Sequence, residues 1–382
     1  MSQNSNKNEL TILSNWWFNI DKQLLICFLI LTFFGLTMSF TIKPGGSYVD
    51  QISILNAFTI QSIYLLFGVL IILICSFFEL KTIKKYTPYI FLFLLVVLTL
   101  TIIPGFGLES KGSSRWLDLI IITLMPIELI KPIFCIGLAL ILENKTENTS
   151  GKKYLYSFII YFFIAVVLVK QPDIGQLAII SSIFVSSFFL SGFSFAALIG
   201  IIFFGLISFV GIYFLNFNVQ NRINAFFSPE QYDVSQVNRS INAFKEGGYF
   251  GVGPGEGQLK NTLQESHTDY IFAVIGEEYG AVGCLVILSL FFYIAYRVFQ
   301  RSYDEKDHFI QLSLFSLTVY LSFQTLIHCA VNLNLIPSTG MTLPFISYGG
   351  SSILGIALTL GLILLLTKKR PVSYTHLRAH ET

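Results

Sequence analysis

The stretch from Asn242 to Gly280 reads NAFKEGGYFGVGPGEGQLKNTLQESHTDYIFAVIGEEYG. It joins a glycine-rich segment (Gly247, Gly248, Gly251, Gly253, Gly255, Gly257) to His267-Thr268-Asp269, then enters an apolar run carrying Glu277 and Glu278. A polar segment that passes straight into helix-length apolar sequence belongs at the edge of a bilayer. The remainder agrees: of 382 residues, 54% are hydrophobic, 12% are charged and 38 are Phe. A water-soluble domain of this length has no use for so much apolar surface. The predicted fold class is therefore all-α, a polytopic integral membrane protein with a large extracytoplasmic loop. The net charge of +2 says little about partners, and nothing in the chain suggests nucleic-acid binding. Cys27, Cys75, Cys135, Cys284 and Cys329 are scattered singly through apolar segments without a CxxC pair, and read as small packing residues.

Outward from that stretch, about ten spans are predicted, at 23–42, 57–78, 88–104, 125–142, 155–170, 174–191, 195–216, 268–296, 309–333 and 350–367. The first is too long for a signal-peptide core and lacks a small-x-small cleavage site, so it reads as an uncleaved span after a polar cytoplasmic tail, 1–22. Residues 23–370 form one membrane domain. With the N-terminus inside, the inner segments collect Lys7, Lys22, Lys81, Lys84, Lys85, Lys145, Lys152, Lys153, Arg297, Arg301, Lys306, Lys368, Lys369 and Arg370. The short outer loops hold only Lys43, Lys111, Arg115 and Lys170, a bias that places both termini in the cytoplasm. The long loop 217–267 then faces outward, as do 105–118, 170–174 and 334–350. Arg115-Trp116, Gln171-Pro172-Asp173, His267 to Asp269 and Pro337 to Ser352 converge on that face. Residues 371–382, PVSYTHLRAHET, follow a basic stop and break with everything before them. They resemble translated adaptor sequence and are read as a non-native tail outside the fold.

Within the converging segments, Asp269 meets an apolar helix at the membrane edge, where partial desolvation makes a carboxylate a usable general base. The competing reading is a helix cap, with Thr268 or Asp269 accepting from a first-turn N–H. The glycines from 247 to 257 permit close approach to a phosphate and an anion nest, or make a flexible surface turn. Glu128 and Lys131 share a helix face three residues apart, as a structural ion pair or a substrate-lining pair. Glu277 and Glu278 lie too deep for ordinary solvation and face the bundle interior, in a bundle-fixing role or a proton relay. Pro337 to Ser352, PSTGMTLPFISYGGSS, has two prolines and three glycines and reads as a re-entrant segment. Ser347, Tyr348, Ser351 and Ser352 would offer it hydroxyls.

These motifs together resemble the SEDS family (shape, elongation, division and sporulation), and within it the FtsW type. The matching stretches are Gly112 to Trp116, Pro126-x-Glu128-x-x-Lys131-Pro132, Gln171 to Gly175, Asn242 to Gly257, His267 to Ala273 with Glu277-Glu278, and Gly340 to Ser352. Gln264 before Glu265, Met125 before Pro126 and Thr339 before Gly340 depart from the family pattern. The resemblance implies a peptidoglycan glycosyltransferase of cell division that polymerises lipid II at the outer face of the inner membrane. It puts Asp269 at the family's essential aspartate, as catalytic base. Arg115, Arg222, Arg239, Lys245 and Lys260 become candidates for the donor pyrophosphate. Trp116, Glu128, Lys131, Asp173, His267, Glu277 and Ser351 join them as substrate-binding positions. A divalent cation, Mg or Mn, is compatible with that chemistry, with Asp269 as a ligand, though the sequence shows no cation site. No organic cofactor is implied. The implied partners are lipid II, a class B penicillin-binding protein that supplies the transpeptidase, and other divisome membrane proteins at the septum. The competing functions are a lipid II flippase, for which inverted repeats would be the signature, an elongation glycosyltransferase of the RodA type, and an idle division scaffold.

Overall fold

A computed structural model describes residues 14–41, 54–110, 113–118, 123–143, 150–231, 234–263 and 265–369. The basic-stop tail at 371–382, most of the N-terminal tail and Gln264 lie outside the described residues. Ten long helices build the bundle: α1 (Lys22–Thr41), α2 (Ile54–Phe77), α3 (Leu80–Leu100), α4 (Pro126–Leu142), α5 (Ser150–Lys170), α6 (Ile174–Leu190), α7 (Phe195–Leu215), α10 (Ile271–Asp304), α11 (His308–Asn332) and α12 (Gly350–Leu366). Between α7 and α10 the predicted loop folds as two shorter helices, α8 (Phe217–Phe227) and α9 (Ser235–Gly247), followed by a 3₁₀ turn at Leu259–Asn261.

Among the described residues, α1, α2, α3, α5, α7, α10 and α11 are long and apolar enough to cross a membrane. The other three, α4, α6 and α12, have 17 residues each. α4 and α12 are almost wholly buried. A helix enclosed by others can be shorter than the hydrocarbon thickness because protein, rather than lipid, meets its ends. In α7 the opposite holds. Phe203, Phe204 and Leu206 are exposed, and only Leu198 is buried, as expected of a helix whose solvent is lipid.

Close contacts fix how the helices run. From α2 to α12, Tyr64 meets Gly350, Gly68 meets Ile353 and Cys75 meets Gly361. Both numbers rise together, so the helices are parallel, as the second and tenth of ten spans must be. α1 meets α10 in opposite order, Asp21 with Arg297 at 2.9 Å and Phe34 with Tyr279 at 5.5 Å between rings, as the first and eighth must. Glycines make these approaches possible, since a Cβ on Gly361 or Gly35 would lie 2.6 Å from Cys75 Cβ or 2.1 Å from the Phe345 carbonyl oxygen. All five cysteines are free and buried, in keeping with their reading as packing residues.

One element escaped the helical pattern. The predicted loop at 105–118 and the residues just after it form a small antiparallel sheet, β1 (Gly107–Ser110), β2 (Ser113–Asp118) and β3 (Thr123–Leu124), in that order. Leu117 pairs with Gly107 and Leu124, and is buried. Where the chain leaves a helix near the membrane surface its backbone groups need partners, and a local sheet supplies them.

Candidate active site

The glycine-rich segment acts on the backbone of α10. At Gly280 the helix is broken, with φ 66° and ψ −167°. An unwound turn inside a bundle leaves N–H and C=O groups that must be satisfied, and the segment inserts its own backbone to do so. The amides of Val252 and Gly253 donate to the carbonyls of Glu277 (2.9 Å) and Glu278 (3.1 Å), while Ala281 and Val282 donate to the carbonyls of Gly248 (2.9 Å) and Tyr249 (3.1 Å). A Cβ on Gly251 would lie 2.2 Å from the Glu278 carbonyl oxygen. The predicted anion nest is thereby corrected for these amides, which are already bonded. The flexible surface turn is corrected too, because the segment is spliced into a helix.

Behind the splice, Glu277 and Glu278 are fully buried. The Glu277 carboxylate accepts from the backbone N–H groups of Leu259 (2.8 Å) and Lys260 (3.1 Å). Glu278 accepts from Lys260 Nζ at 2.6 Å, and the same ammonium donates to the Gly255 carbonyl at 2.7 Å. Lys260 is 5% exposed and is thus committed to an internal ion pair. The two glutamates fasten the segment that leads to Asp269.

Asp269 lies in the turn that follows. The carbonyl of Glu265 accepts from the amides of Thr268 (3.2 Å), Asp269 (3.1 Å) and Tyr270 (3.0 Å). In the first turn of α10, the Ala273 N–H is shared between the Tyr270 carbonyl (3.0 Å) and Asn332 Oδ1 from the end of α11 (3.0 Å). Asn332 Nδ2 donates to the backbone carbonyl of Asp269 at 2.8 Å. The capping open to Thr268 or Asp269 in the sequence is therefore supplied to this amide by another helix. The Pro337 to Ser352 segment closes the other side: Ser347 Oγ donates to the Thr268 carbonyl (2.7 Å) and the Tyr348 N–H to the His267 carbonyl (2.8 Å). Burial holds the His267 imidazole below its ordinary pKa, against the opposing charge of Glu265, and its ring stands edge-on to Tyr348. Burial, with Asp269 adding to it, pushes the Tyr270 phenol up to about 12.

One arginine approaches the Asp269 carboxylate and a second lies within electrostatic range. A Cβ on Gly340 would sit 3.5 Å from Asp269 Oδ2 and 3.8 Å from Arg115 Nη1. Carboxylate and guanidinium thus approach the same point beside Gly340, each within van der Waals reach of it. Arg115, on β2, donates to the Pro172 carbonyl at 2.9 Å and approaches Asp173 Oδ2 at 3.3 Å through Nε. That approach is not aligned as a hydrogen bond, so Arg115 Nε and Asp173 Oδ2 are buried with bonding capacity unused. Asp173 caps α6 by accepting from Gln176 N at 3.3 Å. Burial raises its pKa from the carboxylate range, opposed first by Arg115. Arg222, on the exposed side of α8, lies within electrostatic range of Arg115, Asp173 and Asp269. Trp116 follows on β2, half-buried against the core.

The remaining predicted positions are elsewhere. Glu128 and Lys131 are buried, 2.8 Å apart. Gln176 Nε2 donates to Glu128 (2.7 Å), Lys131 donates to Gln324 (3.0 Å), and the ammonium lies over the Tyr320 ring. Ser351 accepts from the Met125 N–H (3.0 Å) and donates to the Thr123 carbonyl (3.2 Å), tying α12 to the start of α4. Lys245 is exposed on the last turn of α9, and Arg239 donates to the Thr262 carbonyl. Among the described residues no three His, Cys, Asp or Glu side chains gather as a metal cage. With Arg115 near Asp269 and Arg222 within electrostatic range, a cation there would need further oxygens from a ligand.

Lys131→Met is expected to destabilise the protein by about 3–5 kcal/mol, because it strands a buried carboxylate. Glu128→Leu with Lys131→Met should recover most of that loss in thermal unfolding in detergent. A double variant as unstable as the single one would mean that the pair's own attraction is not the cause.

A bundle of membrane helices that gathers a carboxylate, arginines and a hydroxyl-bearing segment at one end defines a polytopic membrane protein with a polar site at the bilayer surface. The chain belongs to the cell cycle protein family of FtsW, RodA and SpoVE, whose profile matches residues 21–371. It is 33% identical over 371 residues to the probable peptidoglycan glycosyltransferase FtsW of Caulobacter vibrioides, covering 96% of this chain and 94% of that protein. The protein of the same description from Nitrosomonas europaea is 32% identical over 313 residues, 80% of this chain and 81% of that one. A chain from a structure described as "Structural coordination of polymerization and crosslinking by a peptidoglycan synthase complex" shares the fold, with a TM-score of 0.77 at 23% identity over 91% of this chain and 97% of that chain. The rod shape determining protein RodA of Thermus thermophilus has a TM-score of 0.69 at 22% identity, over 92% and 97%.

Proposed function

We propose that the protein is a peptidoglycan glycosyltransferase of cell division, polymerising lipid II at the outer face of the cytoplasmic membrane. The carrying observation is the approach of the Asp269 carboxylate and the Arg115 guanidinium to the same point beside Gly340. An acceptor sugar hydroxyl there loses its proton to Asp269 as its oxygen bonds to the anomeric carbon of the pyrophosphate-linked chain. The bond from that carbon to the pyrophosphate breaks, and its electron pair leaves on the pyrophosphate, where Arg115 and Arg222 hold the charge by charge-assisted hydrogen bonds. Lys260 is left out of this set because Glu278 holds it, and Lys245 because nothing brings it to Asp269. Were a divalent cation bound, Asp269 is the residue that would hold it, and the cation would add charge stabilisation to the leaving pyrophosphate.

The division role is supported by the relatives bearing the FtsW description, and an elongation enzyme would perform the same chemistry. The outward orientation is supported by the gathering of Lys81, Lys84, Lys85, Arg297 and Arg301 at the bundle end opposite Asp269. A class B penicillin-binding protein and other septal membrane proteins are the proposed partners. The test is incubation of purified protein, alone and with its transpeptidase, with labelled lipid II. Glycan strands are the expected product. Lipid II crossing liposomes without polymer would overturn the reading in favour of a flippase.

A further inference from the structure

At the bundle end opposite Asp269, α3, α4 and α5 leave an apolar groove of about 370 Å³ between them, within the size range of ligand cavities. Thr87, Phe91 and Leu95 line one side, Phe134 and Leu138 another, and Ile160 the third. Gly137 lines it too, and a Cβ added there would meet nothing within 4 Å. Helical rise places Thr87 about 10 Å, Leu95 about 22 Å and Ile160 about 15 Å from the basic ends of their helices. The groove therefore occupies mainly the half of the hydrocarbon layer nearest the lysines.

Its mouth is cationic. On α3, Lys81, Lys84 and Lys85 continue toward the helix end the stripe that carries Pro88, Phe91, Leu92 and Leu95 into the groove. Lys84 Nζ lies 2.6 Å from Glu143 Oε1, just past the end of α4. On α5, Lys153 is seven residues before Ile160 on the same face, and its Nζ lies 3.5 Å from the Leu142 carbonyl oxygen. Lysines from two helices thus surround the end of α4; among the described residues Glu143 pairs with Lys84 and Glu79 precedes α3. Lys81 and Lys85 are exposed.

We propose that this groove binds one acyl chain of an anionic phospholipid of the inner leaflet, with the headgroup phosphate held by the lysines at its mouth. The inner-leaflet assignment rests on the orientation proposed above, whereas the site itself rests on the groove and its charge. An apolar slot opening to lipid is filled by a chain, and a basic rim at headgroup depth selects the negatively charged head. A zwitterionic lipid would fill the slot without satisfying the rim.

The test is native mass spectrometry of the full chain in detergent with equimolar phosphatidylglycerol and phosphatidylethanolamine of matched chains. Wild type is expected to retain phosphatidylglycerol preferentially. Lys81→Gln with Lys85→Gln should weaken that preference by about fivefold per lysine removed. Gly137→Phe, which fills the groove, should lower retention of both lipids with unchanged unfolding temperature; Gly137→Leu replaces it if the larger residue impairs folding. Equal retention of the two lipids by wild type, or undiminished retention by the filled variant, would overturn the proposal. So would undecaprenyl phosphate displacing phosphatidylglycerol from wild type and not from Gly137→Phe, which would give the groove to the substrate's tail. Labelling of Lys85 by an impermeant amine reagent from outside spheroplasts would overturn the leaflet assignment and the orientation together, while leaving detergent binding as it is.

Discussion

Asp269→Asn is expected to lower glycan polymerisation by about 10²–10⁴-fold, the range contributed by a positioned general base, with the thermal unfolding temperature nearly unchanged. The two outcomes separate because two backbone hydrogen bonds that help place this residue survive the change. Its N–H donates to the Glu265 carbonyl and its C=O accepts from Asn332, and an amide side chain of nearly the same shape keeps both. What the amide loses is the ability to accept a proton. The neighbours do not replace it easily. Tyr270, pushed up to about 12, stays protonated at neutral pH. Burial lowers the His267 imidazole below its ordinary pKa and so weakens it as a base, and its ring stands against Tyr348. Polymer yields from labelled lipid II should therefore collapse in Asp269→Asn while lipid II binding persists. Equal polymer from wild type and variant would remove the base role and leave the carboxylate as a structural group.

How much of this could be read in the sequence depended on how local the cause was. All ten apolar runs were legible as helices because hydrophobic length is a property of the run itself. Their ends were less so. α3 begins at Leu80 rather than at 88, because Lys81, Lys84 and Lys85 extend from a helix that continues past the hydrocarbon. α10 begins at Ile271 rather than at 268, because His267 to Asp269 form a turn. The convergence of Arg115, Asp173 and Asp269 followed from the positive-inside bias and the loops it placed together. The glycine-rich segment did not, because its partner is a break in a helix that starts well after it, and glycines that admit another backbone look the same in sequence as glycines that admit a phosphate. Lys260 looked like an outer cation until Glu278 was seen beneath it. Asn332 had no signal beyond being a polar residue at the end of an apolar run.

Gly280→Ala is expected to be strongly destabilising, reversing the usual sign for this substitution. Inside an uninterrupted helix, alanine in place of glycine stabilises by about 1 kcal/mol. Here φ 66° and ψ −167° lie in a region open essentially to glycine, at a cost of about 1–3 kcal/mol for other residues. The added Cβ would also stand 2.4 Å from the Gly251 nitrogen and 2.5 Å from the Tyr249 carbonyl oxygen. Both are backbone atoms and cannot rotate aside. Relief requires the glycine-rich segment to move out of the break, and that strands the N–H groups of Val252, Gly253, Ala281 and Val282 together with the carbonyls of Glu277, Glu278, Gly248 and Tyr249. Displacing the segment also loosens the turn held by Glu277 and the Lys260–Glu278 pair, which is the route by which the change reaches Asp269. The variant should unfold at a lower temperature than wild type in detergent and lose polymerisation with it, although residue 280 touches no substrate in the proposed reaction. A variant as stable as wild type would mean that α10 can close into a continuous helix, and that the splice is a consequence of the break rather than its support.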